Sequence, residues 1–372
     1  MFVLAMGKMG AHELNYSSDI DLICLFDDGR FDPENFFQAR SAFISATKKM
    51  TALLSDLTED GYVFRTDLRL RPNPSVTPVC MGVEAAERYY ESLGRTWERA
   101  AFIKARVAAG DFKVGAKFLD NMVPFVWRKH LDFAAIEDAH NMQLQIRDHK
   151  RVGGAITLKG HNMKLGRGGI REIEFFTQTR QLIAGGRDTD LRVLGTQQGL
   201  AALAQKGWIE HATADVLTDH YRAHRLIEHR LQMINDAQTH SLPNSKEGFD
   251  RLAALMGSNS DDLQKDIMKR LSEVHELTEG FFAGPMTDAA PEKEDGFEEV
   301  TRSWPSYPAL RSKRAITIFD RLRPEIIRRL RVTENPQEAL LAFDGFLSGL
   351  PAGVQLFALF EANPQLIDLL ID

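Results

Sequence analysis

The chain has 372 residues, with 46 Lys and Arg against 52 Asp and Glu, so its formal net charge is −6. A hydrophobic content of 44% is enough to build packed cores, which excludes a mainly disordered chain. Two Cys in this length exclude a disulfide scaffold. The excess of acidic residues disfavours non-specific nucleic-acid binding, which depends on Lys and Arg.

The sequence contains no apolar run of about 20 residues, the length that a membrane-spanning helix needs. Residues 1–6 include neither a basic segment nor a cleavage site, which is not typical of a secretory signal. We therefore expect a soluble cytoplasmic protein with neither a membrane nor a nucleic acid as its partner. A strand is predicted to begin at residue 2, and a helical pattern stops at residue 372. We therefore expect both ends to be cuts through a larger protein.

Short strands and one helix are predicted in the first 70 residues. Runs rich in Val, Ile, Leu, Phe and Tyr, bounded by Gly, Asp or Pro, predict strands over residues 2–6, 20–26 and 62–70. Apolar residues at helical spacing predict a helix over residues 33–57. Three prolines within residues 72–78 predict a loop after the third strand.

From residue 83 onward the pattern is almost entirely helical. Helices are predicted over residues 83–92, 95–109, 112–129, 132–150, 169–184, 190–205, 211–236, 248–256, 260–282, 312–331, 336–348 and 353–361. Residues 284–299 are rich in Pro, Gly and charge, which predicts a linker or loop. The predicted class is α+β, an α/β head followed by a mostly α-helical bundle body. Its domains are residues 1–110, a helical bundle over 111–283, the linker, and a helical segment over 300–372.

Two acidic residues open the second predicted strand. Asp19 and Asp21 are two positions apart, so on a strand their side chains point to the same face. Neighbouring like charges on a half-buried strand are costly unless a cation neutralises them. Ligation by oxygen alone suits Mg²⁺ or Mn²⁺. The pair therefore predicts a divalent metal site.

The third predicted strand supplies another acid among arginines. Residues 65, 67, 69 and 71 alternate onto one face and are Arg, Asp, Arg and Arg. If this strand lies beside the second, Asp67 completes a three-carboxylate site for two metals, of the kind that catalyses phosphoryl displacement. We expect Arg69 and Arg71 to bind phosphate oxygens there.

Further candidates for phosphate contact lie just before this pair. Gly7 permits close backbone approach to a phosphate, Lys8 can pair with it, and Ser18 directly precedes Asp19. An alternative for the Asp-x-Asp pattern is a phosphatase with an Asp nucleophile. That class has Thr or Val two residues after the second Asp, where this chain has Ile23, and it gives the Gly-Lys element no role.

Longer strings carry a family resemblance over nearly the whole chain. Gly7-Lys8, Ser18-Asp19-Ile20-Asp21 and Asp67 together resemble the nucleotidyltransferase superfamily of DNA polymerase beta. Five longer strings are similar to the bifunctional glutamine synthetase adenylyltransferase/adenylyl-removing enzymes: residues 7–23, 67–72, 94–99, 103–106 and 164–175. Residues 94–99, 169–172 and 238–243 match the N-terminal, adenylyl-removing half of that family.

The chain also departs from that family. The adenylyl-adding half reads Thr-Asp-Ile-Glu-Phe where this chain has residues 171–175, Arg-Glu-Ile-Glu-Phe, and no second Gly-Lys and Ser-Asp-x-Asp block follows. We therefore expect the adding half to be absent. The family has helices before the position of Gly7, so the nucleotidyltransferase domain over residues 1–110 is expected to be N-terminally incomplete. Residues 73–77 differ from the family pattern, and no binding role is assigned to them.

The resemblance implies a reaction and its participants. Inorganic phosphate attacks the AMP–tyrosine phosphodiester on glutamine synthetase and releases ADP and unmodified tyrosine. A PII signalling protein is implied as a second partner. The implied metal ligands and catalytic residues are Asp19, Asp21 and Asp67, and the implied nucleotide- or phosphate-binding residues are Gly7, Lys8, Ser18, Arg69, Arg71 and Arg171. Arg171 joins them because Gly166–Gly169 opens a predicted helix, whose N-terminus favours anions.

Two other interpretations stay open. The chain is either the catalytic half described above or a non-catalytic regulatory or interaction fragment with the same motifs. A nucleotidyltransferase acting on RNA ends is a further alternative, which the acidic charge balance disfavours.

Overall fold

A computed structural model describes residues 1–128, 156–279, 297–333 and 335–350, together with residues 353, 356, 357 and 360. The chain divides into two compact units: the first comprises Met1–Leu131 and Asp138–Glu279, the second Asp132–Glu137 and Gly280–Asp372. The predicted helix over residues 132–150 lies outside the described residues. So do most of the linker over 284–299 and most of the last predicted helix over 353–361.

The first unit contains a five-stranded mixed sheet. Its strands are β1 (Phe2–Ala5), β2 (Asp19–Phe26), β3 (Arg65–Asp67), β4 (Cys80–Gly82) and β5 (Arg106–Gly110). β1 lies between β5 and β2 and pairs antiparallel with both. β2 pairs in parallel with β3 through its first three residues and with β4 through its last three. The long strand β2 therefore sets the positions of both β3 and β4.

Helices cover both faces of this sheet. They are α1 (Gly7–Gly10), α2 (Pro33–Ser55), α3 (Val83–Ser92), α4 (Thr96–Phe102) and α5 (Phe112–Val126). On one face, Leu22 and Cys24 of β2 pack in a cluster with Phe43 of α2. On the other face, Ile23 and Leu25 join a core with residues of α3, α4 and α5. Because strand side chains alternate, the odd-numbered Asp19 and Asp21 lie on the face away from α2.

The structure corrects the sequence predictions for three strands. The sequence predicts one helix over residues 95–109, but α4 ends at Phe102 and residues 106–110 form β5. The edge of β1 is available for pairing, and this tertiary pairing overrides the local preference of an Ala-rich segment for helix. The strand predicted over residues 62–70 is confined to Arg65–Asp67, because Phe64 donates its N–H to Leu54 O at 2.8 Å instead of pairing with β2. The strand β4 was not predicted.

A group of helices completes the first unit. They are α6 (Ile170–Ala184), α7 (Thr196–Gln205), α8 (His211–Asn235), α9 (Lys246–Leu255) and α10 (Ser260–Glu279). Ile170, Ile173 and Phe176 of α6 are fully buried in a core with α7, α8 and α10. The helix predicted over residues 190–205 begins only at Thr196, and a short 3₁₀ turn over Thr189–Leu191 precedes it. The other four helices lie where the sequence predicts them, within a few residues at each end.

The second unit is helical in its described residues. Its helices are α11 (Glu298–Thr301), α12 (Lys313–Val332) and α13 (Pro336–Gly349). Trp304 is fully buried, packs against Phe319 and Phe343, and donates from Nε1 to Asp344 Oδ1 at 3.0 Å. The hydrogen bond satisfies the indole N–H inside this apolar core.

The predicted α+β class is confirmed by the mixed sheet and the helices that follow it. The boundaries proposed for the domains stay predictions. In the described part of the chain, no helix has the length and apolar content needed to cross a membrane.

Candidate active site

Three carboxylates meet where β2 and β3 begin to pair. Asp21 is the register partner of Asp67, and Asp19 is the partner of Arg65. One ligand atom from each of Asp19, Asp21 and Asp67 lies within 4.8 Å of the other two. The prediction that the third strand lies beside the second, so that the three acids converge, is therefore confirmed.

The charges of this cluster affect one another. Burial, and after it the neighbouring charges of Asp19 and Asp67, raise the pKa of Asp21 to about 6. Asp67 behaves differently, because a hydrogen bond from Arg69 holds the pKa of its carboxyl below the ordinary value. Three partly exposed carboxylates with room between them are a donor set that fits a hard divalent cation such as Mg²⁺ or Mn²⁺.

The backbone of residues 6 and 7 lies directly against this cluster. Met6 N–H donates to Asp21 O at 2.9 Å. Gly7 has a φ of +50°, and a Cβ at this position would be 2.9 Å from Asp21 Oδ2. Only glycine combines this backbone conformation with such a close approach without strain. Because Gly7 has no side chain, the Asp21 carboxylate can occupy the space beside it.

The carboxylates open onto a cavity of about 670 Å³. Gly7, Ser18 and Arg69 line it on the sheet side, together with the three acids, while Arg171 lines it on the side of α6. Glu174 and Gln178 line it as well, as their shared helical face with Arg171 predicts. Eight of the nine predicted site residues therefore lie around one cavity.

Arg71 is the predicted site residue that is not among those lining the cavity. Its guanidinium donates to Leu68 O and Pro74 O at 2.8 Å and to Thr77 O at 3.2 Å. These bonds hold the loop that follows β3. The alternation that placed Arg71 beside Asp67 does not apply, because the strand ends at Asp67.

Lys8 and Arg69 line the cavity, but carboxylates already bind them. Lys8 Nζ lies 3.3 Å from Glu228 Oε2 and donates to Asn15 Oδ1 at 3.1 Å. Burial lowers the pKa of Lys8 to about 8, although the charge of Glu228 opposes this shift. Arg69 Nε donates to Asp67 Oδ2 at 2.9 Å.

A buried set of ion pairs forms the floor of the cavity between sheet and helices. Lys104 Nζ donates to Glu13 Oε2 at 2.9 Å and to Glu174 Oε1 at 3.1 Å. Burial acts against ionisation of Glu174, but the charges of Lys104 and Arg171 hold the pKa of its carboxyl below the ordinary value. Each buried charge in this set faces an opposite charge. The ion pairs therefore hold Glu13, Lys104 and Glu174 in one arrangement.

Glu228 on α8 is the centre of a second buried set. Its carboxylate accepts from Arg225 Nη1 at 2.6 Å and lies 2.7 Å from His240 Nδ1. Burial raises the pKa of Glu228, but the hydrogen bond from His240 and the charges of Lys8 and Arg225 outweigh it and lower the pKa to about 2. Lys8 therefore joins the short helix α1, directly after β1, to α8.

Sequence reasoning missed several side chains that line the cavity. Gln238 donates from Nε2 to Asp19 Oδ1 at 2.7 Å, and Trp97, Lys104 and Lys164 lie on the cavity wall. Gln238 and Asp19 are 219 positions apart, so no local pattern could pair them. The sequence did contain one signal that could have identified these residues. All four lie within the strings that carry the family resemblance.

Comparisons with known proteins match two parts of the chain to two family models. Residues 1–121 match the family model described as glutamate-ammonia ligase adenylyltransferase. Residues 139–283 match the model described as GlnD PII-uridylyltransferase. The first match contains all three carboxylates, and the second contains Arg171 and the cavity wall that α6 provides.

Curated relatives match the chain from end to end. A bifunctional glutamine synthetase adenylyltransferase/adenylyl-removing enzyme of Agrobacterium fabrum is 44% identical over 401 residues, which covers 100% of this chain and 40% of the relative. The enzyme with the same name from Rhizobium meliloti is 45% identical over 399 residues, with the same coverage. The chain spans about two fifths of the length of these relatives. Along its whole length it is homologous to the bifunctional glutamine synthetase adenylyltransferase/adenylyl-removing enzymes.

Proposed function

We propose that this chain removes AMP from an adenylylated tyrosine of glutamine synthetase by phosphorolysis. The observation that carries the proposal is the cluster of Asp19, Asp21 and Asp67 at the edge of a cavity that also contains cationic side chains. The names of the relatives supply the reaction class and the protein substrate. The sheet that carries the acids is consistent with a nucleotidyltransferase domain like that of DNA polymerase beta.

The proposed reaction is a displacement at the phosphorus of AMP. An oxygen of inorganic phosphate forms a bond to that phosphorus, and the bond from phosphorus to the tyrosine oxygen breaks. The electron pair leaves with the phenolate, which takes up a proton, and the products are ADP and free tyrosine. No covalent intermediate with the protein is needed.

The side chains around the cavity fit this displacement. Asp19, Asp21 and Asp67 would hold Mg²⁺ or Mn²⁺, which when bound supplies positive charge for phosphate oxygens and for the departing phenolate. Gly7 keeps the space beside the Asp21 carboxylate free of a side chain, and Gln238 holds the carboxylate of Asp19 through its hydrogen bond. The buried pairs of Lys104 and Lys8 fix the cavity walls, so the groups need little rearrangement when substrate binds.

The proposal also specifies the direction of the reaction, which is removal of AMP and not its addition. Removal, not addition, is supported by the strings over residues 94–99, 169–172 and 238–243, which match the adenylyl-removing half of the family. The expectation of a PII signalling protein as a second partner rests on the resemblance alone and stays a prediction.

The test is release of ADP from adenylylated glutamine synthetase in the presence of phosphate and Mg²⁺. We expect the 372-residue chain to form ADP in proportion to the tyrosine released. The Asp19→Asn/Asp21→Asn variant should lose this activity by a factor of at least about 10³, since charge stabilisation is the largest contribution to such reactions. Asp120→Asn, which changes an exposed acid on α5, should keep it.

Other outcomes separate the competing functions. If the folded chain binds adenylylated glutamine synthetase but forms no ADP, the catalytic proposal is wrong for this chain. The interpretation as a regulatory or interaction fragment then takes its place. If the chain instead transfers AMP from ATP to unmodified glutamine synthetase, the family is right and the proposed direction is wrong.

A further inference from the structure

Five cationic side chains line the cavity among the described residues: Lys8, Arg69, Lys104, Lys164 and Arg171. A substrate that carries phosphate needs some of these charges to be available. Lys8 is bound to Glu228, Arg69 to Asp67, and Lys104 to both Glu13 and Glu174. These three cations already serve as partners of the protein's own carboxylates.

Lys164 and Arg171 differ from the other three. Within the described residues, no hydrogen bond or ion pair engages the Lys164 ammonium, although the side chain lies at the cavity wall. Arg171 makes one long contact, 3.4 Å from Nη1 to Glu174 Oε2, and its side chain is 49% exposed. Glu174 is meanwhile bound more closely by Lys104, at 3.1 Å. The two cations are therefore the ones most available to a ligand.

The backbone holds these two residues side by side at the start of α6. Arg171 N–H donates to Lys164 O at 2.9 Å, and Lys164 N–H donates to Asn162 Oδ1 at 3.0 Å. The turn between them is tightly packed: Gly168 has a φ of +70°, and a Cβ there would be 1.9 Å from Leu271 O. Because the turn cannot shift without displacing α10, Lys164 and Arg171 keep their spacing before a ligand arrives.

This pair and the carboxylate cluster belong to the same cavity. The positive charges of Lys164 and Arg171 act on Asp21 and lower the pKa of its carboxyl, against the larger effects of burial and of Asp19 and Asp67. A ligand held by the pair therefore lies close to the carboxylates but on the helical side of the cavity. A small dianion fits between two cations better than a neutral or cationic group.

We propose that Lys164 and Arg171 form the binding subsite for free inorganic phosphate, the attacking group in the reaction proposed above. This inference rests on that proposed function and names the place from which the attack comes. It departs from the expectation that Arg69 and Arg71 hold the phosphate charge, because Arg69 binds Asp67 and Arg71 binds loop carbonyls. The nucleotide then binds on the side of the cavity that carries the carboxylates.

The test is equilibrium binding of inorganic phosphate to the 372-residue chain, measured by titration calorimetry with Mg²⁺ present. We expect the dissociation constant for phosphate to rise at least about tenfold in Lys164→Gln and in Arg171→Gln, since each loses a charge-assisted contact. Lys159→Gln, an identical change at an exposed residue outside the cavity lining, should leave it unchanged. Lys164→Arg, which keeps the positive charge, should retain most of the affinity.

Kinetics supply a second readout, provided that circular dichroism shows each variant to be folded. We expect the KM for phosphate to rise in Lys164→Gln and Arg171→Gln, while the KM for adenylylated glutamine synthetase stays within about twofold. The subsite is overturned if the wild-type chain binds no phosphate. The subsite is also overturned if phosphate binding is lost in Arg69→Gln but is retained in Lys164→Gln and Arg171→Gln.

The two proposals fail in different ways. If phosphate binding depends on Lys164 and Arg171 but the chain forms no ADP, the subsite stands and the proposed function is wrong. If ADP forms with an unchanged dependence on phosphate in both variants, the proposed function stands and the subsite is wrong.

Discussion

Gln238 donates a hydrogen bond of 2.7 Å from Nε2 to Oδ1 of Asp19, and so joins the loop after α8 to the first carboxylate of β2. One Asp19 oxygen is thereby held in a fixed direction. Partners of this kind orient metal ligands, and their loss weakens metal affinity about 10- to 100-fold.

We predict that Gln238→Ala weakens Mn²⁺ binding about tenfold, because the Asp19 carboxylate gains freedom that metal binding must then remove. Titration calorimetry of the metal-free chain with Mn²⁺ measures this. Gln205→Ala, at an exposed position of α7, is the control and should bind Mn²⁺ like the wild type. An unchanged affinity in Gln238→Ala would mean that Asp19 is held in place by other contacts.

Asp21 is predicted to destabilise the metal-free fold at neutral pH. Its pKa is about 6 in the folded chain against an ordinary value of 3.8, so the folded state binds the proton more tightly than the unfolded state does. The contribution of Asp21 is therefore favourable below about pH 4 and is lost as the pH rises through 6. Asp21→Asn should raise the free energy of unfolding by about 1–2 kcal/mol at pH 7.5, a value discounted for partial exposure.

Urea unfolding in the presence of a chelator at pH 7.5 and pH 4.5 tests this pH dependence. The stabilisation by Asp21→Asn should shrink at the lower pH, where the wild-type carboxyl is protonated. Asp120→Asn should change little at either pH. Equal stabilisation at both pH values would show that the ionisation of Asp21 does not cause the effect.

A methyl group at residue 7 is predicted to disturb both the fold and the metal site. Gly7→Ala places a non-glycine residue at a φ of +50° and brings its Cβ to 2.9 Å from Asp21 Oδ2, so the carboxylate must move. We expect a loss of about 1–2 kcal/mol in stability and an additional loss of Mn²⁺ affinity. Gly61→Ala is a matched control, since Gly61 has a φ of +94° with open space around it. It should lose stability but keep the affinity for Mn²⁺, and similar affinities in both variants would contradict the steric argument.

Glu228 is predicted to stabilise the cavity more than Lys8 does. Glu228→Gln leaves Lys8 and Arg225 buried with one neutral partner, which should cost about 3 kcal/mol of unfolding free energy. Lys8→Met should cost about 1 kcal/mol, because Arg225 and His240 still neutralise Glu228. Chemical denaturation of both variants measures the difference. Should Lys8→Met instead keep full stability and raise the KM for phosphate, Lys8 would be a ligand-binding residue and not a structural one.

The meeting of the three acids could be predicted because it depends on local pattern. Alternation along β2 places Asp19 and Asp21 on one face, and a strand that follows a single crossover helix usually pairs beside the strand before it, as β3 does. The positions of the helices followed from apolar periodicity for the same reason. The extent of β3 could not be predicted, because it ends where Arg69 turns back to Asp67 and where β4 takes its place beside β2.

The helical wall of the cavity could not be derived from pattern alone. Lys8 and Glu228 are 220 positions apart, and no local pattern in the sequence links them. β5 escaped prediction because its Ala-rich segment favours a helix until β1 offers hydrogen bonds. In both cases the deciding partner is distant in the chain, and local propensity contains no information about it.

The pairing of β2 with two separate short strands has a consequence for evolution. β3 ends at Asp67 and β4 begins at Cys80, so residues 68–79 leave the sheet and return to the same edge of β2. Both registers are set by β2, which means that insertions or deletions between them shift neither strand. The later part of this excursion, residues 73–79, can therefore change in length and sequence while the acids keep their spacing. It gives the fold a segment that can change without altering the arrangement of the three acids.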